Sequence, residues 1–317
     1  MIKHLTIVLS LVAPIANAQP STWGTPVGPR PESEALAKSV PIADVHMHFD
    51  IFRQPVEKML QRMKDNNVRW GGGVGDYSSD MQAALGAHYI PALGNSEFTK
   101  VLLMNGEQGL QNLEHPVFIQ FFREAELILA AGKVRGFGEI HINNRSNVAA
   151  NDSFARAIPL DSPVVLRIYE LANLYNGFVQ IHYNKDLQTI DQILRMSKRY
   201  PKALTIISHC MPLSAPDDIR KIFDSVSNVM CEISGATHLH GNSRIVGPNG
   251  INSGWLQMIE DYPDRVMLGT DPCCGLMPRY SEIVQTMRTK ALAAMKPETL
   301  EKVAYKNAIR VFGLPNP

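Results

Sequence analysis

The sequence predicts a single-domain (β/α)8, or TIM, barrel of the α/β class, and three observations predict it. Apolar runs typical of buried strands alternate eight times with amphipathic segments typical of helices. The strand runs are continuously apolar, as in a parallel sheet whose faces are covered by helices. The first strand is not followed by a glycine-rich phosphate-binding fingerprint, which disfavours an open dinucleotide-binding sheet. A length of 317 residues also suits one barrel domain.

The strands and helices follow from local pattern. The predicted strands are residues 40–49, 68–74, 89–94, 134–142, 178–182, 204–209, 229–234 and 265–271. The predicted helices are residues 55–66, 81–88, 116–131, 162–176, 186–199, 215–226, 253–262, 281–295 and 297–312. End signals support several of them, such as Ser162-Pro163 at a helix start and Gly132 after a helix end. Residues 95–114 are expected to form a long loop.

The first 18 residues have the pattern of a secretory signal peptide. A basic residue, Lys3, precedes an apolar stretch at residues 5–15, and Ala16-Asn17-Ala18 resembles a signal-peptidase site. The mature chain is therefore expected to begin at Gln19 and to be periplasmic or secreted. Later stretches are too short or too charged to span a membrane. Residues 19–39, rich in Pro, Gly and Ser, are expected to form an extended arm ahead of a barrel at residues 40–314.

Charge and cysteine content limit the partners and the covalent structure. The chain has 31 Lys and Arg against 30 Asp and Glu, so it lacks the basic excess of proteins that bind nucleic acid or anionic membranes. The charge balance disfavours nucleic acid and anionic membranes as partners; the expected partner is a small-molecule substrate, and the oligomeric state stays open. Export permits disulfides among Cys210, Cys231, Cys273 and Cys274. Their pairing is not readable, but the adjacent Cys273 and Cys274 are a poor mutual pair, which leaves buried thiols or one bridge involving Cys210 or Cys231.

The clearest chemical signal is Asp44-Val45-His46-Met47-His48, at the end of the first predicted strand. Strand side chains alternate between faces, so Asp44, His46 and His48 point the same way. Two buried imidazoles need partners for their ring nitrogens, and a bound metal satisfies both. The alternative is a hydrogen-bonded polar cluster in the core.

Polar residues recur at the ends of other predicted strands. Glu139, His182, His209 and Asp271 lie near the C-terminal ends of the fourth, fifth, sixth and eighth strands. In a barrel these ends meet at one mouth, where the active sites of this fold lie. Any one of these residues could simply cap a helix or bind a loop. Histidines and carboxylates on five strands together indicate a metal-dependent active site.

Several motifs between residues 40 and 314 carry a family resemblance. Beside the histidine motif of the first strand they are Gly138-Glu139-Ile140, Gln180-Ile181-His182, Ser208-His209, Asp264-Arg265-Val266-Met267-Leu268-Gly269-Thr270-Asp271 and Asn307-Ala308-Ile309-Arg310-Val311-Phe312-Gly313-Leu314. The chain is similar in these motifs and in strand order to the amidohydrolase superfamily, specifically its amidohydrolase-related branch of metal-dependent barrel hydrolases.

The resemblance implies a set of metal ligands. His46, His48 and Asp271 would bind one metal, and His182 and His209 would complete a second site with a carboxylate. Glu139 takes the strand-four position where many relatives place a carboxylated lysine, so a glutamate bridge between two metals is the natural substitute. Alternatively, Glu139 orients a ligating histidine from outside the coordination sphere, as such carboxylates commonly do. The expected cofactor is therefore a divalent metal, zinc, at one or two ions per chain.

The chemistry expected of such a site is activation of water. Bound zinc lowers the pKa of water from about 15.7 to about 7 and polarises a substrate oxygen. Asp271 is assigned as the catalytic base that takes the proton of that water and passes it to the leaving group. His238 and Arg244, in the long loop at residues 235–254, are candidate substrate contacts, because arginine can hold a carboxylate or phosphate. Glu232, a charge inside strand seven, is expected to orient a ligand or to pair with a buried base.

The leading prediction is thus an exported metal-dependent hydrolase that cleaves an ester, lactone, amide or phosphoester. A decarboxylase of the same superfamily with a single metal is an alternative, and a non-catalytic metal-dependent binding protein is another. The metal count distinguishes hydrolysis from decarboxylation. The substrate is not predicted.

Overall fold

The core of the protein is a series of parallel strands, as the apolar runs predict. A computed structural model describes residues 23–48, 55–75, 77–145, 154–234, 245–272 and 276–317. The predicted signal peptide, His238, Arg244 and the Cys273-Cys274 pair all lie outside these described residues.

The strands lie close to their predicted positions. In chain order they are β1 (Pro26–Val27), β2 (Ile42–Met47), β3 (Val68–Gly73), β4 (Tyr89–Ile90), β5 (Leu93–Gly94), β6 (Gly136–Asn143), β7 (Phe178–Tyr183), β8 (Leu204–Ile207), β9 (Val229–Glu232), β10 (Val246–Gly247), β11 (Gly250–Asn252) and β12 (Val266–Met267). The short strands β1, β10 and β11 form a separate antiparallel sheet.

The remaining strands follow one another around a barrel. Strands β2, β3 and β4 pair in parallel, and so do β5, β6, β7, β8, β9 and β12. The predicted third strand is split in two, because β4 pairs with β3 whereas β5 pairs with β6. Two backbone hydrogen bonds join β2 to the residues that follow β12. They run from Val45 N to Leu268 O (3.1 Å) and from Asp271 N to His46 O (2.8 Å). The ends of β2 and β12, the first and last strands of the barrel, therefore lie side by side.

Helices surround the strands and bury their apolar faces against them. They are α1 (Pro31–Ser39), α2 (Val56–Asp65), α3 (Ser79–Leu85), α4 (Asn95–Gly109), α5 (Pro116–Ala130), α6 (Pro163–Leu174), α7 (Thr189–Arg199), α8 (Pro216–Ser225), α9 (Ser253–Asp261), α10 (Tyr280–Thr286), α11 (Pro297–Glu301) and α12 (Asn307–Phe312). Within the described part of the chain, none of the helices is both long enough and apolar enough to cross a membrane.

The loop predicted at residues 95–114 is wrong over most of its length, because α4 occupies Asn95–Gly109. Phe98, Val101 and Leu102 repeat at helical spacing and are buried in the core. Gly106 has a φ of 61°, a conformation that interrupts the helix. The polar residues and glycines around these three apolar positions hide the helical period in the sequence.

The extended arm predicted at residues 19–39 is also wrong in its second half, which forms α1. Pro31 stands at the start of this helix, where its missing N–H costs no hydrogen bond. Glu32 and Glu34 lie in the first turn and Lys38 in the last, which is the charge order that the helix dipole favours. These end signals outweigh the Pro- and Ser-rich composition of the segment.

Cys210 and Cys231 form a disulfide with a Cα–Cα distance of 4.8 Å, which settles the open pairing for these two cysteines. Cys210 directly follows His209, and Cys231 directly precedes Glu232. The bond therefore ties together two neighbouring strand ends at the mouth of the barrel.

Replacing Cys231 with Ser is expected to lower the free energy of unfolding by about 3 kcal/mol, because the bridge closes a chain loop of 21 residues. Urea unfolding under non-reducing conditions measures this loss. Dithiothreitol should destabilise the native chain by a similar amount and leave the Cys231→Ser variant unchanged. Free thiols at both positions in protein purified from its native host would contradict the prediction.

Candidate metal centre

The structure brings the six predicted ligand residues together at the C-terminal ends of the strands. His46 is on β2, and His48 is the first residue after the end of β2. Glu139 is on β6 and His182 on β7. His209 follows β8, and Asp271 follows β12. Parallel strands position all six side chains at the same end of the barrel.

The first part of the cluster surrounds His46 and His48. His46 Nε2 lies 3.5 Å from Glu139 Oε2 and 3.6 Å from Asp271 Oδ1. His48 Nε2 lies 3.3 Å from the same Asp271 oxygen. The ring nitrogens of both histidines thus face carboxylate oxygens.

The second part of the cluster lies on the other side of Glu139. Glu139 Oε1 is 3.1 Å from His182 Nδ1 and 3.5 Å from His209 Nε2. Asp271 Oδ2 approaches His209 Nε2 at 3.9 Å. Candidate ligand atoms lie within 4.8 Å of one another in three overlapping groups, namely His46/His48/Glu139, Glu139/His182/His209 and His46/His209/Asp271. Glu139 belongs to two of these groups and lies between them.

The donor atoms fit a divalent metal. His46 Nε2 and Asp271 Oδ1 are buried and have no hydrogen-bond partner within the described part of the chain. Buried polar atoms are almost always hydrogen-bonded, so two orphaned atoms facing each other need another partner. Imidazole nitrogens and carboxylate oxygens are the ligands that zinc and related ions take in proteins.

Glu232 orients His46 toward the cluster. His46 Nδ1 donates to Glu232 Oε1 at 2.8 Å, which leaves Nε2 facing the other ligand atoms. The same Glu232 oxygen accepts a hydrogen bond from the His209 backbone N–H at 2.9 Å. Burial raises the pKa of Glu232, but the charge and hydrogen bond of His46 outweigh it and bring the pKa below its usual value. Glu232 therefore combines the two roles expected for it, because the buried base with which it pairs is itself a candidate ligand.

Comparison with models of protein families gives a match to the Amidohydro_2 amidohydrolase model over residues 118–314. This chain belongs to that family. The matched region contains Glu139, His182, His209 and Asp271, whereas His46 and His48 precede it. No curated protein sequence matches the chain.

Solved structures of amidohydrolase-like proteins are similar to the chain over most of its length. A probable 2-pyrone-4,6-dicarboxylic acid hydrolase of Acinetobacter baumannii is 12% identical, with 87% of this chain and 97% of that chain covered and a TM-score of 0.48. The 5-carboxyvanillate decarboxylase LigW of Sphingomonas paucimobilis is 15% identical, with 81% and 83% covered and a TM-score of 0.43. A 2,6-dihydroxybenzoate decarboxylase of Rhizobium is 13% identical, with 88% and 95% covered and a TM-score of 0.44.

Asp44, which alternation places on the face of His46 and His48, has a different role in this member of the amidohydrolase family. Its carboxylate accepts hydrogen bonds from the Thr270 backbone N–H at 2.9 Å and from the Tyr280 hydroxyl at 3.0 Å. Burial raises the pKa of Asp44 to about 7 in spite of these bonds. Asp44 therefore connects β2 to the segment that carries Asp271.

His141 is a member of the cluster that the sequence interpretation missed. Its Nε2 lies 3.4 Å from Glu139 Oε2, and its ring stacks on that of His182 with 4.9 Å between centroids. Burial lowers the pKa of His141 well below its usual value, although the Glu139 charge opposes this, so the ring is neutral at neutral pH. His141 follows Glu139 by two residues on β6, and the alternation that relates His46 to His48 would have identified it.

Two of the candidate ligands lie on left-handed backbone. The φ angle is 56° at His209 and 48° at Asp271, and it is also positive at Cys210 and Met211. Such conformations cost about 1–3 kcal/mol at non-glycine residues and cluster at functional sites. The hydrogen bonds of the backbone N–H groups of His209 to Glu232 and of Asp271 to His46 O hold these turns in place.

Proposed function

We propose that this chain is a metal-dependent hydrolase that holds two divalent metals and cleaves an ester, lactone, amide or phosphoester. The observation that carries the proposal is the position of Glu139. Its Oε2 faces His46, whereas its Oε1 faces His182 and His209. A carboxylate with its two oxygens directed to different ligand groups is suited to bridge a pair of metals.

One metal would be held by His46, His48 and Asp271, and the other by His182 and His209, with Glu139 between them. Metals bound there would act as Lewis acids and lower the pKa of coordinated water. The mixed imidazole and carboxylate donors favour zinc.

Asp271 is the catalytic base in this proposal. Burial raises the pKa of its carboxyl, but the His46 charge and the close approach of His48 outweigh burial and hold that pKa well below its usual value. The carboxylate is therefore ionised at neutral pH and able to accept a proton from the attacking water. It then returns the proton to the leaving group.

Export to the periplasm or beyond is part of the proposal. The three-part pattern of residues 1–18 supports it, and so does the Cys210–Cys231 disulfide, since disulfides persist in oxidising compartments.

A decarboxylase with one metal is the second candidate, and His182 is the observation that favours it. Its Nδ1 faces Glu139 Oε1 at 3.1 Å and its Nε2 faces Asn184 Oδ1 at 3.2 Å. If both contacts are kept, His182 is not a metal ligand and Glu139 acts as its orienting partner. A single metal would then rest on His46, His48 and Asp271. Decarboxylase is also the activity named for two of the three similar structures.

Metal content and reaction products together test the proposal. The mature chain, saturated with zinc and freed of excess metal by gel filtration, is expected to retain about two ions per chain by mass spectrometry. A panel of carboxylate-bearing lactones, esters and amides is expected to release acid, and hydroxybenzoates are not expected to release carbon dioxide. One ion per chain with carbon dioxide release would replace hydrolysis with decarboxylation. Metal binding without any product would indicate a binding protein.

A further inference from the structure

Arg156 lies on a segment that pairs with the end of β6, the strand that carries Glu139. Residue Ala157 forms an antiparallel bridge with Asn143 at the end of β6. The Asn144 N–H donates to Arg156 O at 3.0 Å, and Asn144 Oδ1 accepts from Arg156 N at 2.8 Å. These bonds fix the Arg156 backbone against the strand that carries Glu139 and His141.

The Arg156 side chain is buried, and two of its three guanidinium nitrogens have no partner among the described residues. The residue is 3% exposed, and its Nε and Nη1 have no hydrogen-bond partner among the residues that the structure describes. Arg288, at 1% exposure, shows how this fold satisfies an arginine that supports structure. Its guanidinium donates to backbone carbonyls of Ala37, Val40 and Asn66. A buried guanidinium without such acceptors destabilises the fold, so an external acceptor is the natural reason for it.

The guanidinium lies within electrostatic range of the metal centre. Burial lowers the pKa of Arg156 to about 10, and the Glu139 carboxylate opposes this, so the group is charged at neutral pH. The Arg156 charge in turn contributes to the lowered pKa of His141, after burial and against the effect of Glu139. Because the Arg156 backbone pairs with the C-terminal end of β6, an anion held by Arg156 would lie at the same end of the barrel as the candidate ligands.

We propose that Arg156 binds a carboxylate of the substrate, so that the substrate of the proposed hydrolase is a small carboxylic acid with its reacting group at the metals. This inference rests on the proposed function and specifies its substrate class. Guanidinium N–H groups match a carboxylate in charge and in planar geometry. A phosphate, at nearly two negative charges, would need a second cation. Lys185 on the neighbouring β7 end does not supply one, because its Nζ binds Asp218 Oδ2 at 2.6 Å.

The test measures binding rather than turnover, on the zinc-loaded chain. Calorimetry compares malonate, succinate and glutarate with the monoamide of each acid, since both members of a pair can contact the metals through one carboxylate. The native chain is expected to prefer the diacid of one length over its monoamide by ~10–100-fold, the range for hydrogen bonds to charged groups. Arg156→Met is expected to abolish that preference, and Arg156→Lys to retain part of it. Arg145→Met is the matched control, because Arg145 belongs to the same loop but is exposed and paired with Glu107.

Thermal unfolding separates a binding role from a structural one. Arg156→Met should keep or raise the melting temperature, because it removes a buried charge that lacks acceptors for Nε and Nη1 among the described residues. An unchanged diacid preference in Arg156→Met would overturn the inference, and so would failure of both Arg156 variants to fold. Tighter competition by inorganic phosphate than by the diacid, lost in Arg156→Met, would overturn the choice of carboxylate. Because no turnover is measured, absence of hydrolysis would count against the proposed function and not against this inference.

Discussion

Asp271→Asn is expected to lower turnover by ~10²–10⁴-fold, the range typical of general-base loss, while most of the bound metal remains. Asparagine keeps the shape of the side chain and one oxygen that can contact a metal near His48 and His46, which lie 3.3 and 3.6 Å from Asp271 Oδ1. It removes the negative charge and the ability to accept a proton from water. The measurement is kcat on a hydrolysed substrate together with metal content by mass spectrometry.

His46→Ala is the matched comparison and should differ in kind. It removes a ring nitrogen from the centre of the cluster and leaves Glu232 buried without its main partner, so metal and activity should be lost together. Near-normal turnover in Asp271→Asn would contradict the base assignment. The role would then pass to Glu139 or to His238, which lies outside the described residues.

The candidate ligands could be predicted because they depend on local rules. A buried strand has a fixed alternation, and the C-terminal ends of barrel strands share one mouth, so His46, His48, Glu139 and Asp271 could be placed together without coordinates. The same rule applies to His141, which lies two residues after Glu139 on β6 but was not predicted as a member of the cluster.

Other parts of the site depend on contacts that sequence does not display. The left-handed backbone at His209 is held by a hydrogen bond to Glu232, which is 23 residues away in the chain. The Cys210–Cys231 pairing depends on the register of β8 and β9, in which Ile207 lies opposite Cys231. The significance of Arg156 lies in the absence of acceptors within the described residues, and only a folded structure can show that.

Glu139→Gln is expected to reduce the zinc content from about two ions per chain to about one. In the native chain, His46 faces Glu139 Oε2, whereas His182 and His209 face Oε1. Glutamine keeps the size of the side chain but has a single neutral oxygen, so it cannot bind a metal on both sides. The metal at His182 and His209 should be lost, because among the described residues those two histidines share no other carboxylate as close. Activity should fall by more than the ~10–100-fold that follows loss of an outer-sphere partner.

Glu107→Gln is the matched control for this substitution. Glu107 is a carboxylate on α4 that accepts from the Ala157 N–H at 2.7 Å, and it contacts none of the candidate ligands among the described residues. It should keep both metals. Two ions per chain in Glu139→Gln would rule out the bridging role. One ion per chain in both the native protein and Glu139→Gln would instead make Glu139 the orienting partner of His182, as the decarboxylase candidate requires. The zinc content would then not depend on the Glu139 charge, because that charge is needed for a second metal only if Glu139 bridges two metals.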